Sequence, residues 1–331
     1  MTTTTRDLAL LARDAVLAPD AGHQLIAAGG ADRIRFLHGL VTNDVEGTPV
    51  GRGCRAALLT PKGQVVADLR ICVRPDDVRI IVDRGQAQPV AEALSRYAIM
   101  DDFTAAPVGD FAFLSLLGPA AASRLDSAGV PAGDLAAAPG RDLAHVEVGD
   151  FWLVRAREMG TDGFWIGAPQ AAISALRDRL IGAGVPVLDA EAAEAARIDA
   201  LEPRFGVEIT ADYFPMEVGL ADTIDERKGC YLGQEPIVRI RDRGHINWRL
   251  VVLDVAGVAA PRAGDPLESD TKPKAGRVTS AAALPGGGVV ALAMAHVSLP
   301  VGASLRIRPA DGAPPVDARI RAEVASRAAE R

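Results

Sequence analysis

Cysteine is scarce in this chain of 331 residues: there are three, Cys54, Cys72 and Cys230, and no C-x-x-C pair among them. An odd, scattered set gives no disulfide framework and fits a reducing compartment. It also falls short of the four closely spaced ligands that a structural zinc or an iron–sulfur cluster usually takes, so no metal site is expected. Long apolar runs are missing as well. No stretch reaches the roughly 18 residues of a membrane span. The N-terminal "MTTTTRDLALLARDAVLAP" is broken by Arg6, Asp7, Arg13 and Asp14, which leaves no uninterrupted secretory h-region. A cytoplasmic protein without a membrane partner is expected. Positive charge is in deficit too, with 36 Lys and Arg against 43 Asp and Glu and a net charge of −7. Duplex binding rests on a basic surface, so nucleic acid is not expected as a partner and any anion site must be local. A G-x-G-x-x-G turn after a strand is absent, because "GAG" at Gly182 to Gly184 follows a helical pattern; this excludes a Rossmann reading.

What is present is an ordinary globular composition, 49% hydrophobic and 24% charged, in a chain too long for one core, so two or three packed units are expected. "HQLIAA" reads as a strand, and "ADRIRFLHGLV" carries Ile34, Leu37 and Val41 at helical spacing. "CRAALL", "QVVADLRICV" and "DVRIIVD", separated by the turn chemistries "TPKG" and "PDD", predict an antiparallel meander. A helix is predicted at "QPVAEALSRYAI", a strand at "FAFLSLL" and a helix at "PAAASRLDSAG". "HVEVGDFWLVRA" predicts a hairpin turning at Gly149-Asp150, and "PQAAISALRDRLIGAG" a helix with a glycine stop. The alanine-rich helix at "AEAAEAARIDALEPR" should break at Pro203. Without the strict βαβ rhythm of a parallel sheet, the class is α+β with mainly antiparallel sheets. After Trp248, short strands with close Pro and Gly punctuation predict a small closed β unit. The boundary is placed at 247, giving an α+β region over 1–247 and a C-terminal β-barrel over 248–331.

The densest chemistry lies in "KGCYLGQE", Lys228 to Glu235. Gly233 and Pro236 predict the start of a short helix, "PIVRIRDR", that stops at Gly244 and carries Arg239 and Arg243 on one face. Cys230 then precedes a helix N-terminus and neighbours Arg227 and Lys228, three positive influences that favour the thiolate. The competing reading is a buried cysteine packed as a small apolar side chain. Arg227, Lys228, Arg239, Arg241, Arg243 and Arg249 form the basic stretch of an acidic chain. They suit a carboxylate-bearing or phosphorylated small molecule, or a solvated face paired with Asp222, Asp225, Glu226 and Asp242. Glu217, flanked by Met216 and Val218, is either a surface carboxylate or a ligand acceptor.

"KGCYLGQE", together with "FLHGLVTNDV", "LLTPKGQVVADLRI", "PMEVGLAD", "RGHINWRLV" and "GRVTSAA" in that order, resembles the YgfZ-type folate-binding proteins. These are relatives of the glycine-cleavage T-protein in the GcvT-like aminomethyltransferase superfamily, and the likeness spans roughly residues 24 to 310. The resemblance implies two α+β units with mainly antiparallel sheets plus a C-terminal β-barrel around a central cavity for tetrahydrofolate or a one-carbon derivative. It implies that Glu217 hydrogen-bonds the pterin ring, in a charge-assisted bidentate contact, and that Asn43 and Asp44 line the same opening. Tyr213, Phe214 and Tyr231 are candidate stacking partners, and Arg227, Arg239 and Arg243 candidates for the glutamate tail of folate. T-proteins carry a G-G-x-x-D-D type block where this chain has "GQVVADL", so of that acidic pair only Asp68 remains.

The implied role is a folate-dependent accessory in the assembly or repair of iron–sulfur enzymes, those enzymes being its partners. Cys230 is the working thiol and Lys228 the cation beside it. The rival is an aminomethyltransferase or demethylase with Asp68 as acid–base group, and a third reading is a non-catalytic module with a degenerate pocket.

Overall fold

The computed structural model describes residues 4–139, 143–310 and 312–324. The chain forms two compact units, one of residues 1–60, 66–190 and 223–232, the other of 61–65, 191–222 and 233–331. That division differs from a single cut at 247, because 191–222 and 233–247 group with the C-terminal strands.

In chain order the first unit contains β1 (Thr4–Thr5), α1 (Leu10–Arg13), β2 (Val16–Leu17), β3 (Gln24–Gly29), α2 (Arg33–Leu40), β4 (Gly53–Leu59), β5 (Val65–Val73), β6 (Val78–Val82), α3 (Ala87–Ser95), β7 (Thr104–Pro107) and β8 (Phe111–Leu117). It continues with α4 (Ala121–Ser127), β9 (His145–Val148), β10 (Phe151–Glu158), β11 (Thr161–Pro169), α5 (Gln170–Gly182) and β12 (Val187–Leu188). Two sheets result, one in the order β4-β5-β6-β3-β7 and one in the order β1-β12-β2-β8-β11-β10-β9. Period-two alternation decides what each face meets. On β5, Ala67, Leu69, Ile71 and Val73 pack with Leu37 of α2 and Val90 and Leu94 of α3. Cys72, on the other face, joins Leu25, Ile81, Trp152, Val154 and Trp165 in a core shared by the two sheets. The outer face of the second sheet, with Leu153, Phe164 and Ile166, is covered by Leu125 of α4 and Leu176 and Leu180 of α5. The unit is therefore a helix–sheet–sheet–helix stack.

The antiparallel meander β4-β5-β6 and the hairpin turning at Gly149-Asp150 agree with the sequence reading. Strand β11 was not read from the sequence. Gly163 and Gly167 interrupt its β pattern, and the structure gives their reason: a Cβ would lie 2.3 Å from the Leu116 carbonyl oxygen at Gly163 and 2.6 Å from the Phe111 ring at Gly167.

The second unit contains α6 (Ala190–Asp199), α7 (Gln234–Arg243), β13 (Trp248–Val255), β14 (Pro266–Glu268), β15 (Gly276–Ala283), β16 (Val289–His296), β17 (Ser304–Ile307) and β18 (Val316–Glu323). The six strands close into a barrel in the order β13-β16-β15-β14-β17-β18. Val251, Leu253, Ala291, Ala293, Leu305 and Ile320 fill its interior. Small alanines on β16 suit a narrow closed barrel, whose lumen must be filled by side chains. Helix α6 ends at Asp199, ahead of Pro203, as the missing N–H of proline requires. Among the described residues no helix is long and apolar enough to cross a membrane.

Candidate functional site

In the first unit the motif is a strap laid over the C-terminal end of α2. Asp225 opens it: its Oδ1 accepts the backbone N–H of Arg227 at 2.7 Å and of Lys228 at 3.2 Å, and its own N–H donates to the Thr42 carbonyl at 3.1 Å. The Lys228 ammonium then donates to three backbone carbonyls, those of His38, Val41 (2.7 Å) and Asn43 (3.0 Å). Leu232 closes the strap by donating its N–H to the Gly39 carbonyl at 3.2 Å. The last carbonyls of a helix lack intrahelical partners and carry its negative dipole end, so a lysine is a suitable cap for them. Burial pulls the Lys228 ammonium down to about 8, against the pull of Asp44 and other nearby acids, so it stays charged at neutral pH. Tyr231 is buried, with the Lys228 ammonium 5.3 Å from its ring centroid.

Between the two anchors Cys230 is exposed. The buried-thiol reading thus applies to Cys72, whose thiol is pushed up by burial, and in part to Cys54, half-buried with its thiol at about 11. Burial dominates at Cys54, while a hydrogen bond with Thr48 and the Lys228 charge oppose it. Helix α7 begins at Gln234 on the Gly233 cap, so Cys230 stands three positions ahead of the cap rather than at the terminus. A φ of 78° at Gly233 explains the glycine, since other residues avoid the left-handed region.

The "TND" block builds the loop that the strap clasps. Asn43 donates from Nδ2 to the Arg55 carbonyl at 2.8 Å and accepts the Asp44 N–H at Oδ1. Asp44 Oδ1 accepts the Gly47 N–H at 2.8 Å and lies 3.2 Å from His38 Nδ1. Asp68 is elsewhere in this unit, buried on β5. Arg55 grips it from Nε at 2.9 Å and Nη2 at 2.6 Å, and Arg70 approaches at 3.2 Å. Burial alone would raise this carboxyl, but the two guanidiniums outweigh it and hold it below the usual carboxylate range. Such a group is a fixed anion, ill suited to trading protons near neutrality.

Glu217 belongs to the second unit. In the Phe214-Pro215-Met216-Glu217 turn, its Oε2 accepts the Phe214 N–H at 3.0 Å, the return half of a capping box. Its Oε1 accepts the N–H groups of Asn247 and Trp248, each at 3.2 Å, where β13 begins. A carboxylate offers about four acceptor directions. Three are taken, so the bidentate contact expected from sequence is replaced by one remaining direction on Oε2, enough for a single ligand donor. Nearby in sequence, Tyr213 is buried, with the Arg277 guanidinium 5.6 Å from its ring centroid. Arg239 pairs with Glu235 at 2.8 Å and Arg241 with Asp242 at 2.7 Å, both on the exposed face of α7. Arg227, in the first unit, is 84% exposed. The Arg243 backbone ends α7, but its side chain lies outside the described residues. Sequence reasoning singled out neither Thr42 nor the α2 carbonyls; the D-x-x-K spacing of Asp225 and Lys228 was the available signal for the turn.

The model of the GCVT N-terminal domain matches residues 12–228, more than half of the chain. The chain belongs to the GCVT N-terminal domain family. Among relatives, an aminomethyltransferase of Bordetella parapertussis is 33% identical over 62% of this chain and 57% of its own length. Another aminomethyltransferase, of Xanthomonas axonopodis pv. citri, is 27% identical over 82% of this chain and 78% of its own. The match thus spans little more than half of the Bordetella relative. The glycine cleavage system aminomethyltransferase T of Bartonella henselae shares the GCVT fold with a TM-score of 0.84 at 23% identity, covering 93% of this chain and 85% of that one.

Proposed function

We propose that this GCVT-family chain is a tetrahydrofolate-binding accessory protein that supports the assembly or repair of iron–sulfur enzymes, with Cys230 as its working thiol. The observation that carries the reading is the strap: Lys228 is tied to the carbonyls of His38, Val41 and Asn43 at the end of α2 and just beyond it, Leu232 to that of Gly39, and the sulfur between them is open to solvent. A strap so anchored fixes a thiol without burying it, which suits reaction with a partner more than packing. Family membership supports folate as the ligand, with Glu217 Oε2 receiving one N–H of the pterin's aminopyrimidine edge. Folate would supply the one-carbon chemistry; the protein's part is to bind it and present the thiol. Arg239 and Arg243, both on α7, are proposed for the glutamate tail, and Tyr231, Asn43 and Asp44 act by shaping the strap and its loop.

Calorimetric titration of tetrahydrofolate into the full chain tests the ligand. Binding should persist in Cys230→Ala and weaken about tenfold in Glu217→Gln, the worth of one charge-assisted hydrogen bond; no heat with the native chain removes the folate reading. In cells, Cys230→Ala should abolish support of iron–sulfur enzymes, and unchanged cluster-enzyme activity would remove the thiol's role. The names of the relatives favour a second reading, folate-dependent aminomethyl transfer. It requires methylenetetrahydrofolate formation with glycine-cleavage partners and a response to Asp68→Asn, although the double arginine grip on Asp68 speaks against that acid–base role.

A further inference from the structure

The three carbonyl oxygens that meet Lys228 come from one short stretch of chain. His38 lies in the last turn of α2, Val41 is the C-cap of that helix and Asn43 starts the loop beyond it. All three oxygens converge on a single Nζ, at 2.7 Å for Val41 and 3.0 Å for Asn43. Other bonds hold this stretch in place. The Val41 N–H donates to the Leu37 carbonyl at 3.0 Å, and Asn43 Nδ2 to the Arg55 carbonyl at 2.8 Å. Thr42 between them is fully buried, with its N–H on the Ala57 carbonyl at 3.1 Å and its Oγ1 accepting the Ala57 N–H at 2.8 Å. The cradle is thus shaped by groups other than the lysine. Among the described residues the ammonium bonds backbone oxygens alone, one for each of its three N–H groups, and no carboxylate pairs with it directly. The field at this point is negative, from the C-terminal end of α2 and from the acids Asp44, Asp225 and Glu46.

We propose that these carbonyls form a monovalent-cation cradle of the potassium and ammonium class, with Lys228 as its tethered occupant. Lys228 is then a positioning residue for Cys230, acting through the backbone of α2 rather than on the sulfur. Potassium and ammonium carry the charge of the lysine head group at nearly the same radius, and potassium exchanges its water for rings of backbone carbonyls. Lithium is too small to touch three oxygens spaced for an ammonium, and choline is too large to enter. In the native chain the tether keeps the lysine at high effective concentration and excludes free ions. The value of the cradle to the protein rests on Cys230 being the working thiol, whereas its cation chemistry does not.

The test is the full-length Lys228→Ala variant, which empties the cradle, melted in potassium, ammonium, lithium and choline chloride at one pH and ionic strength. Potassium and ammonium should each raise its Tm saturably by about 2–4 °C over choline, and lithium should not. The Leu232 N–H is bonded to the Gly39 carbonyl in the closed strap. In the variant it should exchange with deuterium at least about tenfold faster in choline than in potassium. The native chain and Lys228→Met, whose cradles hold a tethered ammonium and an apolar head, should show no such preference. Equal Tm and exchange for Lys228→Ala in all four salts overturns the proposal, as does an equal potassium response in Lys228→Met. If Lys228→Ala does not fold in choline, folding restored by potassium or ammonium supports the cradle, and failure in all four salts overturns it. Folate and iron–sulfur enzymes enter none of these readings, so the cradle and the proposed function fail separately.

Discussion

Lys228 is the residue on which the motif's geometry turns. Its three carbonyl bonds make it a cap for α2 as well as the cation beside Cys230. Lys228→Met orphans those carbonyls and should cost about 1–3 kcal/mol, measured by urea denaturation, whereas Cys230→Ala, at an exposed site, should stay within about 0.5 kcal/mol. His23 poses a second residue-scale question. Its ring is buried against Trp165, with both nitrogens unbonded, and lies 3.9 Å from Asp83. Desolvation is the largest influence and lowers its pKa from 6.5, so the unfolded chain takes up this proton first. Stability should therefore fall as pH drops below about 6.5, and His23→Phe should flatten that slope. Asp68 acts lower on the scale. Its carboxyl is lowered in the fold, so its contribution is present above the unfolded value near 3.8 and is lost as pH falls through the folded one. Unfolding curves from pH 7 down to about 2 for the native chain, His23→Phe and Asp68→Asn check the two windows.

At the scale of elements, the decisive pieces are short turns. Glu217 joins the Phe214 turn to the start of β13 through three backbone bonds, so Glu217→Ala should destabilise by about 3 kcal/mol and Glu217→Gln, which keeps an acceptor oxygen, by less. This separates its structural duty from its proposed ligand contact, since the glutamine variant should still fold while binding folate less well. The turn between β4 and β5 is as demanding. Gly63 has φ of +77°, and a Cβ there would lie 3.1 Å from Pro236 Cβ and 3.4 Å from the Phe214 ring. Gly63→Val should cost about 2 kcal/mol or more, from left-handed strain and overpacking together. Thermal denaturation of that variant reads the effect directly.

At the scale of the molecule, each unit has its own means of closure. The first buries Trp152 and Trp165 between two sheets, and the second has a barrel lined by alanine and branched aliphatics. Trp152→Ala should cost about 3–5 kcal/mol by chemical denaturation, because the facing sheets cannot collapse into the void. If tetrahydrofolate is the ligand, a concentration one hundred times its Kd should stabilise the protein by about 2.7 kcal/mol and raise Tm; an unchanged Tm at that concentration would contradict it.

The sequence by itself determined the class, the antiparallel meander, the breaks at Pro203 and Gly244 and the barrel after Trp248, because period, turn chemistry and proline are local quantities. It also marked Cys230 and Glu217 as residues of interest. It missed β11, whose glycines answer to neighbouring strands and rings, and it offered Asp68 as an acid–base group without showing that Arg55 and Arg70 both reach its carboxylate. Only the tertiary structure decided that Lys228 caps α2 and that Glu217 spends three of its acceptor directions on backbone. Apart from the local bond between Glu217 and Phe214, these pairings join residues distant along the chain, and no local pattern encodes which partner folding will bring to a given side chain.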